Sequence, residues 1–210
     1  MLRYWMTAVV MMLATVPGLA QVSTWEIDSA HSGAHFSVRH LMIATVRGEF
    51  RKVTGTINMD EKDISKSSVE AVIDTTTIDT REERRDNHLK SADFFDVAKF
   101  PTITFKSKSV TRQGEGKLKV AGDLTLHGVT KPVILDVEGL TNQVKDQRGN
   151  LKTGAAVTTK TNRSDFGLTW NRAVETGGVA VSDEVGIIID LELVKKAAPA
   201  APSTSGGSSK

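Results

Sequence analysis

From Val185 to Leu193 the chain reads Val-Gly-Ile-Ile-Ile-Asp-Leu-Glu-Leu, so that Val185, Ile187, Ile189, Leu191 and Leu193 fall on one parity while Asp190 and Glu192 fall on the other. A period of two belongs to a strand with one face in a core and one in water. A helix, which returns to the same side every 3.6 residues, would scatter these side chains around its axis. The pattern recurs along the chain. Ala34, Phe36, Val38 and His40 alternate with His35, Ser37 and Arg39, and Val46, Gly48 and Phe50 with Arg47, Glu49 and Arg51. Val53, Ile57 and Met59 then change parity, which predicts a bulge near Lys52. Further runs are Val69-Ala71-Ile73, Ile103-Phe105, Leu118-Val120 with Leu124-Leu126, Val133-Leu135-Val137 and Ala155-Val157.

Turn chemistry separates these runs: Arg112–Gly116, His127-Gly128, Asp146–Asn150 and Thr176-Gly177-Gly178. About eight strands joined by short polar turns favour an antiparallel barrel or a sandwich. One stretch departs from the pattern. Thr80-Arg81-Glu82-Glu83 has the spacing of a capping box, which predicts a helix opened by Thr80 and running to about Ser91. Leu89 is its one large apolar residue, so it is expected to lie across a barrel end and not to pass through a core.

The ends of the chain read differently. Arg3 precedes an apolar run from Tyr4 to Val16, then Pro17-Gly18, with small residues at Gly18 and Ala20. Residues 1–20 are therefore expected to be a cleaved signal peptide, since the run is shorter than the roughly twenty residues of a membrane span. Residues 197–210, AAPAAPSTSGGSSK, have the composition of a flexible tail. That leaves 21–196 as one folded domain. Its charge is balanced: of 27 Lys and Arg, Arg3 and Lys210 lie in the end segments, and the rest match the 25 Asp and Glu. With basic and acidic residues interspersed, nucleic acid is not an expected partner. The chain has no cysteine, which excludes a disulfide scaffold, a thiolate metal site and a cysteine nucleophile.

Little in the sequence points to catalysis. There is no GxSxG elbow, no P-loop and no dinucleotide fingerprint. His31 and His35 lie four apart in an extended segment without the glutamate of HExxH, so a metal site is not expected. Asp79, Asp86 and Asp93 stand beside Arg81, Arg84 and Arg85, the setting of solvated ion pairs more than of paired catalytic carboxylates. Asn162-Arg163-Ser164 matches a glycosylation sequon, too short a motif to carry weight alone. A binding module without enzymatic activity is the expectation.

Four ordered stretches resemble the YceI-like family. They are Trp25–Ser32 followed by Phe36–Leu41, Arg84–Asp96 with Phe100-Pro101, Gly122–Pro132, and Arg163–Gly167. The resemblance implies an exported, periplasmic protein with an eight-stranded antiparallel lipocalin-like barrel: all-β with a short helix. It further implies a polyprenyl, quinone-like or fatty-amide ligand, bound and carried or stored in the interior without a cofactor. The lipid itself, or another long-chain amphiphile, is the implied partner, and transient membrane contact and a homodimer are left open. The chain departs from true lipocalins, for Ser23-Thr24-Trp25 lacks the glycine of a GxW start. The alternating faces nominate Phe36, Val38, Phe105, Leu118, Val120, Leu124, Ile187 and Ile189 as tail-binding residues. The motifs nominate His40, Arg84, His88 and Arg163 for a head group. The competing reading is a periplasmic stress or interaction protein whose barrel is filled by its own side chains.

Overall fold

The computed structural model describes residues 22–173 and 178–197. The expected signal peptide, the tail beyond Ala197 and the Thr176-Gly177 turn lie outside the described residues. The elements are β1 (Val22–Ile27), β2 (Gly33–His40), β3 (Ala44–Phe50), β4 (Val53–Asp60), β5 (Ser68–Asp74), β6 (Ile78–Asp79), α1 (Glu83–Lys90), β7 (Thr102–Gly114), β8 (Lys117–Leu126), β9 (Val129–Lys145), β10 (Leu151–Asn162) and β11 (Glu184–Lys195).

All pairings are antiparallel, and they close on themselves through β1 and β11. The wall has eight staves because three of them are bent. β1 and β2 form one, interrupted at Asp28–Ser32, and β3 and β4 form a second that pairs with it throughout. β5 and β6 form the third, bent at the 3-10 turn Thr75–Thr77, where β5 follows β4 and β6 follows β3. The remaining staves are β7 to β11 in chain order. β11 serves two partners along one edge: Gly186–Asp190 pair with β2, and Leu193–Lys195 pair with β1. The expected parity change near Lys52 is a break between strands, not a bulge within one. There the Lys52 carbonyl accepts from Asp74 N–H while its own N–H donates to Thr77 Oγ1.

The two ends of this barrel are built differently. Around β1 and the end of β11, Trp25 and Leu193 are fully buried, and Ile57 nearly so. The Trp25 indole N–H donates to Ser23 Oγ at 3.0 Å, and the Lys195 ammonium lies 5.5 Å from its ring centre while pairing with Glu61 at 3.1 Å. At the other end α1 and the segment 91–101 lie across the opening. The segment 163–183 returns there beside β2, with its 174–177 stretch outside the described residues.

The helix is opened by Glu82, not Thr80. The Glu82 carboxylate accepts from the Arg84 and Arg85 amides, satisfying donors that a helix start leaves orphaned. Thr80 is buried and serves as an anchor to the wall. Its N–H and hydroxyl donate to Asp86 Oδ1, and Arg85 donates back to Thr80 Oγ1 at 2.7 Å and Thr80 O at 2.8 Å. The β2–β3 turn at the same end is closed by Ile43 N–H donating to His40 O. Its Leu41 and Met42 have φ of 48° and 60°, a left-handed conformation that costs a residue with a side chain about 1–2 kcal/mol.

Candidate functional site

Alternation directs one parity of every stave inward, and the inward side chains do not fill the space they enclose. A chamber of about 430 Å³ runs along the barrel, from Met59, Ile64 and Ser67 near the packed end to His40, His88, Trp170 and Val181 at the helix end. That volume is within the range of small-molecule sites, about 300–1,000 Å³. All eight residues nominated for a lipid tail line it. Phe105 and Val120 are buried, whereas Phe36, Val38, Leu118, Leu124, Ile187 and Ile189 are half-buried because they face the chamber. Inward glycines make room for the rings. A Cβ on Gly122 would stand 2.6 Å from the Phe105 ring, and one on Gly48 would stand 2.4 Å from that of Phe36.

Polar lining groups gather at the helix end. His40 sits exposed at the rim, sharing parity with Phe36 and Val38 and bridged to Val181. His88 Nε2 is 2.8 Å from Asp93 Oδ2, and its ring stands edge-on to Phe94 and Trp170. Arg172 lies over the Trp170 ring at 5.9 Å.

The two nominated arginines behave differently from the expectation. Arg84 is exposed on the outer side of α1 and does not line the chamber; Arg85, one residue on, does. Arg163 does reach the chamber wall, but its guanidinium is engaged within the protein. It donates to the carbonyls of Ser182, Leu168, Trp170 and Val181 and pairs with Asp183 at 3.3 Å. Burial lowers its pKa from the usual arginine value while Asp183 opposes that. Arg163 therefore holds the 163–183 segment in place, with no donor left over for a head group.

Among the described residues one cluster has metal-ligand geometry, Asp28, His31 and Glu192. A cation already stands in it: Lys152 Nζ is 3.2 Å from Asp28 and 2.6 Å from Glu192. The His31 hydrogen bond, with help from Lys152, holds the Asp28 carboxyl down at about 2, and Glu192 with Asp28 raises the Lys152 ammonium. This is an ion-pair network that locks the bend between β1 and β2. His35, the other histidine considered for a metal, is on the outer face between Glu49 and Asp190.

On the outer wall, charges pair across neighbouring strands, as in Lys106–Glu70, Lys108–Asp123 and Lys119–Asp136. An apolar interior and a charged exterior invert the arrangement of a membrane-spanning barrel, whose lipid face is apolar. Among the described residues no helix is long and apolar enough to cross a membrane.

A closed eight-stave barrel around an apolar chamber, with the four sequence stretches on its wall and mouth, is joined by a direct match: residues 25–193 fit the model of the YceI-like domain. The chain belongs to the YceI-like family. A UPF0312 protein of Vibrio cholerae serotype O1 is 39% identical over 156 residues, covering 73% of this YceI-like chain and 82% of its own length. The crystal structure of a Campylobacter jejuni YCEI protein is similar with a TM-score of 0.64 and 31% identity, over 76% of this chain and 90% of that one. A polyisoprenoid binding domain from Saccharophagus degradans shares the fold at a TM-score of 0.58 and 15% identity, over 82% and 98% of the two chains.

Several lining residues of this YceI-like chain escape a period-two reading because they are not on strands. Arg85 and Leu89 come from α1, Phe94 and Phe95 from the segment after it, and Trp170 and Val181 from the irregular return to β11. The aromatic pair at Phe94-Phe95 following a charged helix is the one sequence signal that could have found them.

Proposed function

We propose that the mature protein binds an isoprenoid-type lipid, polyprenyl or quinone-like, or a fatty amide, in the barrel and carries or stores it without covalent chemistry. The observation that carries this reading is the unfilled chamber, apolar along its length and polar at one end. Each buried methylene contributes about 0.8 kcal/mol against water. A bilayer offers a tail nearly the same burial, so the exchange between membrane and barrel is close to balanced, as a carrier requires. Selection then falls to chamber length and to the polar end, where His40, Arg85 and His88 are the groups that face a head group. The Saccharophagus domain of like fold, named as polyisoprenoid binding, supports the same ligand class. We also read residues 1–20 as a signal peptide that delivers the chain to the periplasm, with Gln21 as the mature N-terminus. The chamber weighs against the filled-barrel alternative, and the engaged Arg163 and paired Asp93 favour a binding protein over an enzyme.

Native mass spectrometry of protein purified from its own host's periplasm tests the reading. A population heavier than the mature chain by the mass of one lipid, recovered in the organic extract, is expected. A homogeneous ligand-free mass with no lipid in the extract would overturn it.

A further inference from the structure

We propose that the turn Leu41–Ile43, with Val179 beside it, docks the protein on the surface of a bilayer carrying anionic head groups. These four side chains are exposed at the helix end: Ile43 by 78%, Met42 by 46%, and Leu41 and Val179 by 40% each. They form one patch, because Leu41 N–H donates to Ala180 O and so holds the residues after Val179 against β2.

The backbone of this turn carries the argument further. A tight hairpin turn with φ positive at both central positions is normally made by Asn-Gly or a similar pair. Here Leu41 and Met42 occupy those positions with φ of 48° and 60°. The chain thus accepts strain to hold two large apolar side chains in water, which fold stability alone does not explain.

Position and charge select the occupant. Val38, His40, Val46 and Val181 line the chamber, so the patch is continuous with the chamber mouth. From Val38 to Arg47 there are two arginines and one histidine and no acidic residue, in contrast to the paired charges of the wall. The Arg39 guanidinium is folded to the base of the turn, donating to Met42 O at 2.9 Å and Thr45 Oγ1 at 3.0 Å. An apolar tip with Arg39 at its base and Arg47 behind it, and with Asp183 on the adjoining segment paired to Arg163, fits the boundary between acyl chains and anionic head groups. A second copy of the chain fits less well, since stable protein interfaces bury roughly 1,200–2,000 Å², far beyond four side chains. On the carrier reading, on which the purpose of docking rests, a seated tip lets a lipid tail pass between bilayer and chamber without crossing water.

The test is co-sedimentation of the mature chain with phosphatidylcholine vesicles, with and without phosphatidylglycerol, beside native mass spectrometry of the same preparations. The expected result is binding to the anionic vesicles that weakens with salt. In the triple variant L41N/M42G/I43T binding falls about tenfold or more, while its Tm holds or rises, because Asn and Gly suit the left-handed positions. Equal binding by the variant would overturn the proposal. So would a wild-type chain that ignores both vesicles, or a wild-type dimer that the variant turns into a monomer. Lipid-free protein that still docks through the tip upholds the docking and removes the carrier reading; loaded protein that does not dock does the reverse.

Discussion

The two ends of the barrel solve opposite problems with the same staves. At the packed end, Trp25, Ile57 and Leu193 meet at full or near-full burial, and the polar groups among them are matched in pairs. At the helix end the wall hands over to α1 and two irregular segments, where Phe94, Phe166 and Leu168 are buried, other apolar side chains stay half-buried around an open space, and Leu41 to Ile43 stand in water. Cohesion is shared by both ends, and polar lining groups and open space are found at the helix end. A small domain has only about 5–15 kcal/mol of net stability, so the imperfectly packed chamber has to be offset by burial at both of its ends.

If that difference holds, substitutions should separate stability from ligand content. The largest loss is expected for Trp25→Ala, about 3–5 kcal/mol in urea unfolding, with lipid per folded molecule unchanged. Reduced occupancy in the molecules that remain folded would show that the ends are not independent. Next comes Arg163→Met, which strips donors from the buried carbonyl of Leu168 and the half-buried carbonyls of Trp170, Val181 and Ser182. We expect a loss of about 2–3 kcal/mol together with less bound lipid, because the segment it holds forms part of the mouth. A variant of full stability would deny Arg163 its positioning role.

The Asp28 network gives a smaller, pH-dependent effect. Its carboxyl is held at about 2, below the unfolded value near 3.9. That contribution is therefore fully present above about pH 4 and is lost as the pH falls through about 2. Asp28→Asn should lower Tm by a few degrees at neutral pH, and the gap to wild type should narrow in melts recorded from pH 4 down to 2. A gap that does not change with pH would remove the network from the acid response. The smallest stability change is expected for Ala71→Phe, under about 1.5 kcal/mol, because the added ring enters the chamber. Lipid recovered by extraction should nevertheless fall to a small fraction of wild type, and undiminished recovery would place the ligand elsewhere.

How well the sequence could be read differs between the same two ends, and for a physical reason. Wall residues are fixed by a local rule, since in an extended chain parity decides which side a residue faces. Phe36, Leu118 and Ile189 could therefore be assigned to the interior without knowing their partners. The mouth obeys no such rule. Helix phase depends on the cap, and with Glu82 taking that role Arg84 faces out while its neighbour Arg85 faces in. Arg163, nominated for a head group, opens the 3-10 turn after β10, and its role is set by carbonyls up to 19 residues away in an aperiodic segment. Trp170 lies in that same segment and gave no signal. The resemblance to a family supplied the barrel where alternation alone left a sandwich open.

The seam between the first and last strands has a consequence for how the molecule comes into being. β1 and β2 both lean on β11, which ends at Lys195. Until that strand is in place, β10 lacks one neighbour and β1 and β2 each show a bare edge, the state most open to pairing with other chains. Pairings this distant in sequence also form slowly. The chamber is thus among the last features to exist, and on the proposed reading a lipid can enter only a finished chain.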